Sequence, residues 1–150
     1  MIKIRKFSLS DLEEVMKIGR TSFPKNKTYS EDYFQKCYQK YPEGFIVAEN
    51  KGKIVGYAIS QLKRGISIRR IGKFISLAVK PEFRQKGVGK KLVNSLINNF
   101  KKKVKEISLT MRTKNKIAIS FYQNLGFKII KKIENYYRNN DDAYIMKKEI

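Results

Sequence analysis

The chain is predicted to fold as one mixed α/β domain spanning residues 1–150, with a sheet that combines an antiparallel meander and one parallel strand pair. Three observations carry that prediction. Seven stretches rich in Ile, Val, Phe and Tyr alternate or run continuously apolar, which reads as strands. Four segments between them place apolar residues at helical spacing. One of those helices joins two consecutive strands, and a crossover of that kind makes the strands it links parallel.

In chain order, IKIRKF (2–7) alternates apolar and basic residues as a half-buried strand does. Ser10 is positioned to cap a first helix, with Asp11, Glu13 and Glu14 in the turn where the dipole favours acids. Its apolar face is Leu12, Val15, Met16 and Ile18, and it should stop near Gly19–Phe23, ahead of Pro24. Ser30 caps a second helix that runs to about Tyr41, where Pro42-Glu43-Gly44 breaks it. GFIVAEN and KIVGYAISQL form a hairpin around Asn50–Lys53, and RRIGKFISLAV adds a third strand.

The next helix, 90–102, shows Leu92, Val93, Leu96, Ile97 and Phe100 on one face. KEISLTMR is a strand, and Asn115 opens a last helix with Ile117, Ala118, Phe121, Tyr122 and Leu125 as its apolar positions. Gly126 stops that helix. FKIIKKIENYY and DAYIMKKEI close the chain as two strands.

Composition removes several kinds of chemistry. The single cysteine, Cys37, and the absence of histidine exclude an internal disulfide and a Cys/His zinc cluster. No metal is expected. The commonest general base is also missing. No apolar run reaches the length of a membrane span, and the N-terminus lacks the apolar core of a signal peptide, so a soluble cytoplasmic protein is expected. The charge is +21, from 34 basic against 13 acidic residues. Such a field draws anions of every class, nucleic acid included.

The stretch VKPEFRQKGVGKKL (79–92) sets glycines and cations where a strand hands over to a helix. The first amides of a helix have no intrahelical partner, and the dipole adds to their pull on an anion. Gly87 and Gly89 remove the Cβ atoms that would keep a phosphate from the backbone, and Arg84 and Lys86 add charge.

SLAVKPEFRQKGVGKKLV resembles the acyl-CoA-binding segment of the GNAT N-acetyltransferases, whose Arg/Gln-x-x-Gly-x-Gly/Ala pattern falls on Arg84, Gly87 and Gly89. A second segment of that family is matched by NKIAISFYQNLGF, at Asn115, Ala118, Tyr122, Gly126 and Phe127. The likeness runs from about residue 2 to 148. Within the family it is strongest to the enzymes that acetylate protein N-termini, including the ribosomal-protein alanine acetyltransferases; Ser22-Phe23-Pro24, the strand ISLAV and the C-terminal ENYYRNNDDAYIMKK carry it.

The resemblance implies a central, mostly antiparallel sheet with a splayed parallel pair and helices on both faces. It implies acetyl-CoA as co-substrate and direct attack by an amine in a ternary complex. The pyrophosphate would rest on the amides of Arg84, Gln85, Lys86, Gly87, Val88, Gly89 and Lys90, and the pantetheine arm on the main chain of Leu77 and Val79. The acetyl carbonyl would lie near Val79, where the parallel strands part, while Asn115 and Tyr122 would face the cofactor from the other side and Tyr122 would act as general acid for the CoA thiolate. Phe23, Pro24, Tyr29, Tyr136 and Tyr137 would form the peptide slot. One departure is plain: the family's Glu or His base falls on Thr110, and a second base position, Tyr in some relatives, falls on Lys73.

Protein N-termini, ribosomal proteins and nascent chains among them, are the expected substrates. Two other readings share the cofactor segment: a degenerate CoA-binding module that contacts RNA or the ribosome, and a small-molecule amine acetyltransferase.

Overall fold

The computed structural model describes residues 1–23, 28–64 and 70–150. Seven strands form one sheet: β1 Ile2–Lys6, β2 Phe45–Asn50, β3 Lys53–Arg64, β4 Arg70–Val79, β5 Glu106–Arg112, β6 Lys128–Ile133 and β7 Ala143–Glu149. The helices are α1 Leu12–Ser22, α2 Glu31–Lys40, α3 Val88–Phe100 and α4 Lys116–Asn124. The strand order is β1-β2-β3-β4-β5-β7-β6, antiparallel throughout except for β4 beside β5. No helix among the described residues is long and apolar enough to cross a membrane.

Alternation along the strands divides the core. On one face α1 and α2 bury Val15, Ile18, Phe34 and Cys37 against Phe45, Val47, Tyr57 and Ile59. On the other, α3 and α4 bury Leu92, Leu96, Phe100 and Tyr122 against Ala58, Phe74, Ile107 and Leu109. Each Val, Leu, Ile or Phe among them contributes about 1.5–3 kcal/mol by leaving water.

Local chemistry moves some boundaries. Ser10 does not cap α1. The Ser8 N–H donates to the Asp11 carboxylate at 2.9 Å, and Arg5 grips both Asp11 oxygens at 2.8 and 3.0 Å, so a 3-10 turn over Leu9–Asp11 precedes the helix. Ser30 does cap α2, accepting from the Tyr33 N–H at 3.1 Å. Helix α3 starts two residues earlier than its apolar spacing suggests, because Gly87, at φ +84°, forms the cap. Ile117 is no core residue: nine-residue α4 buries Ile119 and Tyr122, and Ile117 in its first turn is 87% exposed. The pair Tyr136-Tyr137 lies in the loop between β6 and β7, not in a strand.

The feature that positions the site is the β4–β5 junction. These parallel strands pair through two registers only, Gly72 with Ile107 and Lys73 with Ser108. Beyond them β4 carries a bulge: Ser60 faces Phe74 while Ile59 faces Ser76, leaving Ile75 extra. A bulge bends its strand and raises its twist, and from here the strands diverge. Gly72 lets Phe100 pack close at the junction, since a Cβ there would lie 3.0 Å from its ring and the ring would have to shift.

Candidate active site

The wedge between β4 and β5 opens into a cavity of about 480 Å³. The 74–77 segment of β4 forms one wall and the 109–112 segment of β5 the other; Asn115, Ala118 and Tyr122 of α4 close one side, and Ser22, Phe23 and Tyr29 close another. A smaller lobe of about 240 Å³ shares Tyr29, Phe74, Ile75, Thr110 and Tyr137 with it and adds Tyr33, Lys63, Lys73 and Tyr136. The fold thus gathers Phe23, Tyr29, Lys73, Leu77, Thr110, Asn115, Tyr122, Tyr136 and Tyr137 around one cleft. Pro24 lies outside the described residues.

Val79 is elsewhere. It pairs with Gly56 at the far end of β4 and lines neither cavity, because divergence begins at the bulge, several residues earlier.

The turn before α3 forms a second locus, tied to the cavity rim. Gln85 and Gly87 both have left-handed backbones, at φ +59° and +84°. Successive amides in such turns converge on an anion. A Cβ at Gly87 would meet nothing within 4 Å, so the space above the turn is open. The side chain of Val88 is buried in the core, which leaves its amide as the group it offers. Gly89 has a different reason: a Cβ there would stand 3.2 Å from Phe121, so this glycine lets α4 close on α3. The Arg84 guanidinium is committed to the Val79 carbonyl at 2.9 Å and the Ser22 hydroxyl at 3.2 Å, pinning the turn to the end of α1. The Lys86 ammonium lies 5.7 Å from the centre of the Phe83 ring.

Tyr122 packs among Phe74, Phe121 and Phe127 at centroid distances of 6.4, 5.0 and 5.5 Å. Burial pushes its phenol well above the usual tyrosine range. No buried side-chain oxygen or nitrogen among the described residues lacks a partner, and Tyr122 has no hydrogen bond of its own, so its hydroxyl opens on the cavity. Asn115 caps α4, its side-chain oxygen accepting from the Ala118 N–H at 3.3 Å. The Tyr29 hydroxyl reaches the carbonyl of the bulged Ile75 at 3.4 Å.

Sequence reasoning missed one cluster. Asp141 receives Lys114 at 2.8 Å, Asn139 at 2.9 Å and Arg112 at 3.3 Å. The Lys114 contact first, then Asn139, hold its carboxyl down to about 2. The Arg112 guanidinium lies 3.7 Å from the centroid of the Tyr137 ring. The signal for Arg112 was present in ISLTMR, whose alternation sets Ser108, Thr110 and Arg112 opposite buried Ile107, Leu109 and Met111. Nothing local marked Asp141.

Residues 12–127 match the model of the Acetyltransferase (GNAT) family. The N-alpha-acetyltransferase of Sulfurisphaera tokodaii is 32% identical over 153 residues, covering 96% of this chain and 90% of that protein. Among solved structures, Ard1 from Thermoplasma volcanium has a TM-score of 0.89 at 29% identity, covering 99% of this chain and 97% of the other. Naa50 of Arabidopsis thaliana, solved with the bisubstrate analogue CoA-Ac-MVNAL, has a TM-score of 0.87 at 26% identity over 99% of each chain. With the family model covering most of its length and a wedge, glycine turn and facing tyrosine in place, this chain belongs to the GNAT acetyltransferase family.

Proposed function

We propose that the protein is an N-terminal acetyltransferase, moving acetyl from acetyl-CoA to the α-amino group of protein N-termini in a ternary complex. The observation that carries this is the wedge itself. Adjoining cavities that share five lining residues run from Leu77 of β4 past Tyr122 to a slot walled by Tyr29, Tyr136 and Tyr137. Acetyl-CoA supplies the acyl group on a thioester whose thiolate departs.

The chain's residues have separable tasks. The turn from Arg84 to Lys90 receives the pyrophosphate through its amides, with Arg84 acting as the pin that shapes the turn. Neither Leu77 nor Val79 pairs with β5, so the main chain of Leu77 and the N–H of Val79, whose carbonyl is held by Arg84, are the groups that hold the pantetheine arm. The main chain of the bulged segment 75–77, which lines the wedge as Val79 does not, is the proposed place where the acetyl carbonyl is polarised. Tyr122 donates a hydrogen bond to the developing thiolate, while Phe23 and the slot tyrosines hold the peptide.

Deprotonation falls to the substrate. Asp141 is held at about 2, and the phenols of Tyr29, Tyr33 and Tyr137 are pushed up, each chiefly by burial, so none of them takes a proton readily at neutral pH. Thr110 is no base. A peptide α-amine has a pKa of about 7.7–8.0 and a lysine side chain about 10.4, so the first is largely self-sufficient and the second is not. Two outcomes follow. On peptides that also carry an internal lysine, mass spectrometry should place acetyl on the α-amine by at least about 10²-fold over lysine, as those pKa values require; lysine preference would end the proposal. The kcat/KM profile should rise through about pH 7.7–8.0 with the substrate amine, and no enzyme group should add a limb between about pH 5 and 7.

The turn gives a third test. Gly87→Val puts a β-branched residue at φ +84° and a side chain into the open space above the turn. It should raise the KM for acetyl-CoA by about tenfold or more, against a folding cost of about 1–2 kcal/mol. An unchanged KM would move the pyrophosphate elsewhere.

The protein is proposed to work in the cytoplasm on ribosomal proteins or nascent chains. Exposed Lys90, Lys91, Lys101, Lys102, Lys103 and Lys105 along α3 and its end support a second reading, contact with RNA. A steep fall of RNA affinity with salt would support it.

A further inference from the structure

The smaller lobe of the cleft holds a charge arrangement that peptide backbone binding does not use. Lys63 faces Ile71 and Lys73 faces Gln61 across β3 and β4, so the two lysines are diagonal neighbours on one face of the sheet. Both line the lobe, together with Thr110 and Tyr33. Three cations of β5, the turn after it and β7 are matched by contrast: Lys147 with Glu106 at 2.7 Å, and Arg112 and Lys114 with Asp141. Among the described residues no carboxylate pairs with Lys63 or Lys73.

The surroundings strengthen the case for an anion. Burial, then the proximity of Lys73 and Lys40, lowers the proton affinity of Lys63, as expected for ammonium groups crowded without a counter-charge. Burial pushes the phenols of Tyr29, Tyr33 and Tyr137 up, so none of these three adds a negative charge to the lobe. Donors therefore outnumber anionic acceptors throughout. At about 240 Å³ the lobe suits one side chain rather than a nucleotide, and it adjoins the larger cavity along Phe74, Ile75 and Thr110, which line both.

We infer that this lobe is an anionic subsite, in which Lys63 and Lys73 take the carboxylate of an Asp or Glu side chain at the first or second position of the peptide substrate. The inference rests on the N-terminal acetyltransferase reading. It makes the enzyme selective for acidic N-termini, with Lys63 and Lys73 as the residues that set the selectivity.

The test uses short peptides identical except for Asp, Glu, Asn or Gln at position one or two. Acetylation of each by the full chain is measured with acetyl-CoA at low salt. The acid-to-amide ratio of kcat/KM should be about tenfold or more at one of the two positions, the size of effect a charged hydrogen bond brings. It should fall towards unity in the Lys63→Gln, Lys73→Gln double variant and persist when both are arginine. Taking the ratio within each variant cancels any general loss of activity. A ratio near unity in the unaltered protein, or one that survives the double variant, overturns the subsite. Equilibrium binding of the same peptides to the CoA-loaded protein gives the ratio without turnover. Failure to acetylate any peptide would therefore remove the parent reading, while the affinities still decide the subsite.

Discussion

Tyr122→Phe should lower kcat for peptide acetylation by about 10²-fold, the lower end of what a positioned proton donor contributes. Acetyl-CoA affinity and thermal stability should change little. The substitution keeps the ring that packs on Phe74, Phe121 and Phe127 and removes only the oxygen that opens on the cavity. Burial holds that proton on the phenol into strongly basic pH. A free thiol has a pKa near 8.5, so complete transfer from a phenol above 10 is uphill. The oxygen therefore acts by sharing its proton with sulfur as negative charge develops. Stopped-flow acetylation beside a melting curve separates the two roles. Unchanged kcat would make Tyr122 a core residue, and a large fall in melting temperature would show that the hydroxyl is structural.

Phe100→Ala should cost about 3–5 kcal/mol of stability, in the range for emptying a fully buried aromatic site. Phe100 is 0% exposed, stacks on Tyr41 at 5.9 Å between centroids, and covers Gly72 where β4 meets β5. Urea unfolding followed by circular dichroism gives the number. A loss under about 1 kcal/mol would mean that the site collapses around the gap. Because Gly72 is one of the two β4 residues paired to β5, the surviving folded fraction should also bind acetyl-CoA less tightly.

The elements that could be read from sequence were those whose signals are local. The hairpin turn is marked by Gly52 and the end of α4 by Gly126, glycines that take positive φ without strain. Tyr122, Thr110 and Lys73 reach the cleft because strand and helix periodicity fix their faces. What escaped depends on distant partners. The bulge at Ile75 is set by register against β3, and it moves the opening of the wedge away from Val79. Asp11 displaced Ser10 as the organiser of the α1 start because Arg5 and Ser8 converge on it. The ion cluster at Asp141 needs Arg112 and Lys114 brought in from across the chain. Ile117 satisfied a helical pattern yet lies on a turn that no neighbour covers.

The divergence of β4 and β5 has a consequence for solubility. Unpaired strand edges invite other chains to add on, and that invitation is the usual route to aggregation. Here two such edges face each other inside the sheet, joined at their base by the pairing of Gly72 and Lys73. A notch closed at one end admits a single extended guest and then has no edge left to offer. The enzyme can therefore keep a strand-hungry backbone exposed at this notch without adding an open-ended edge to those of β1 and β6.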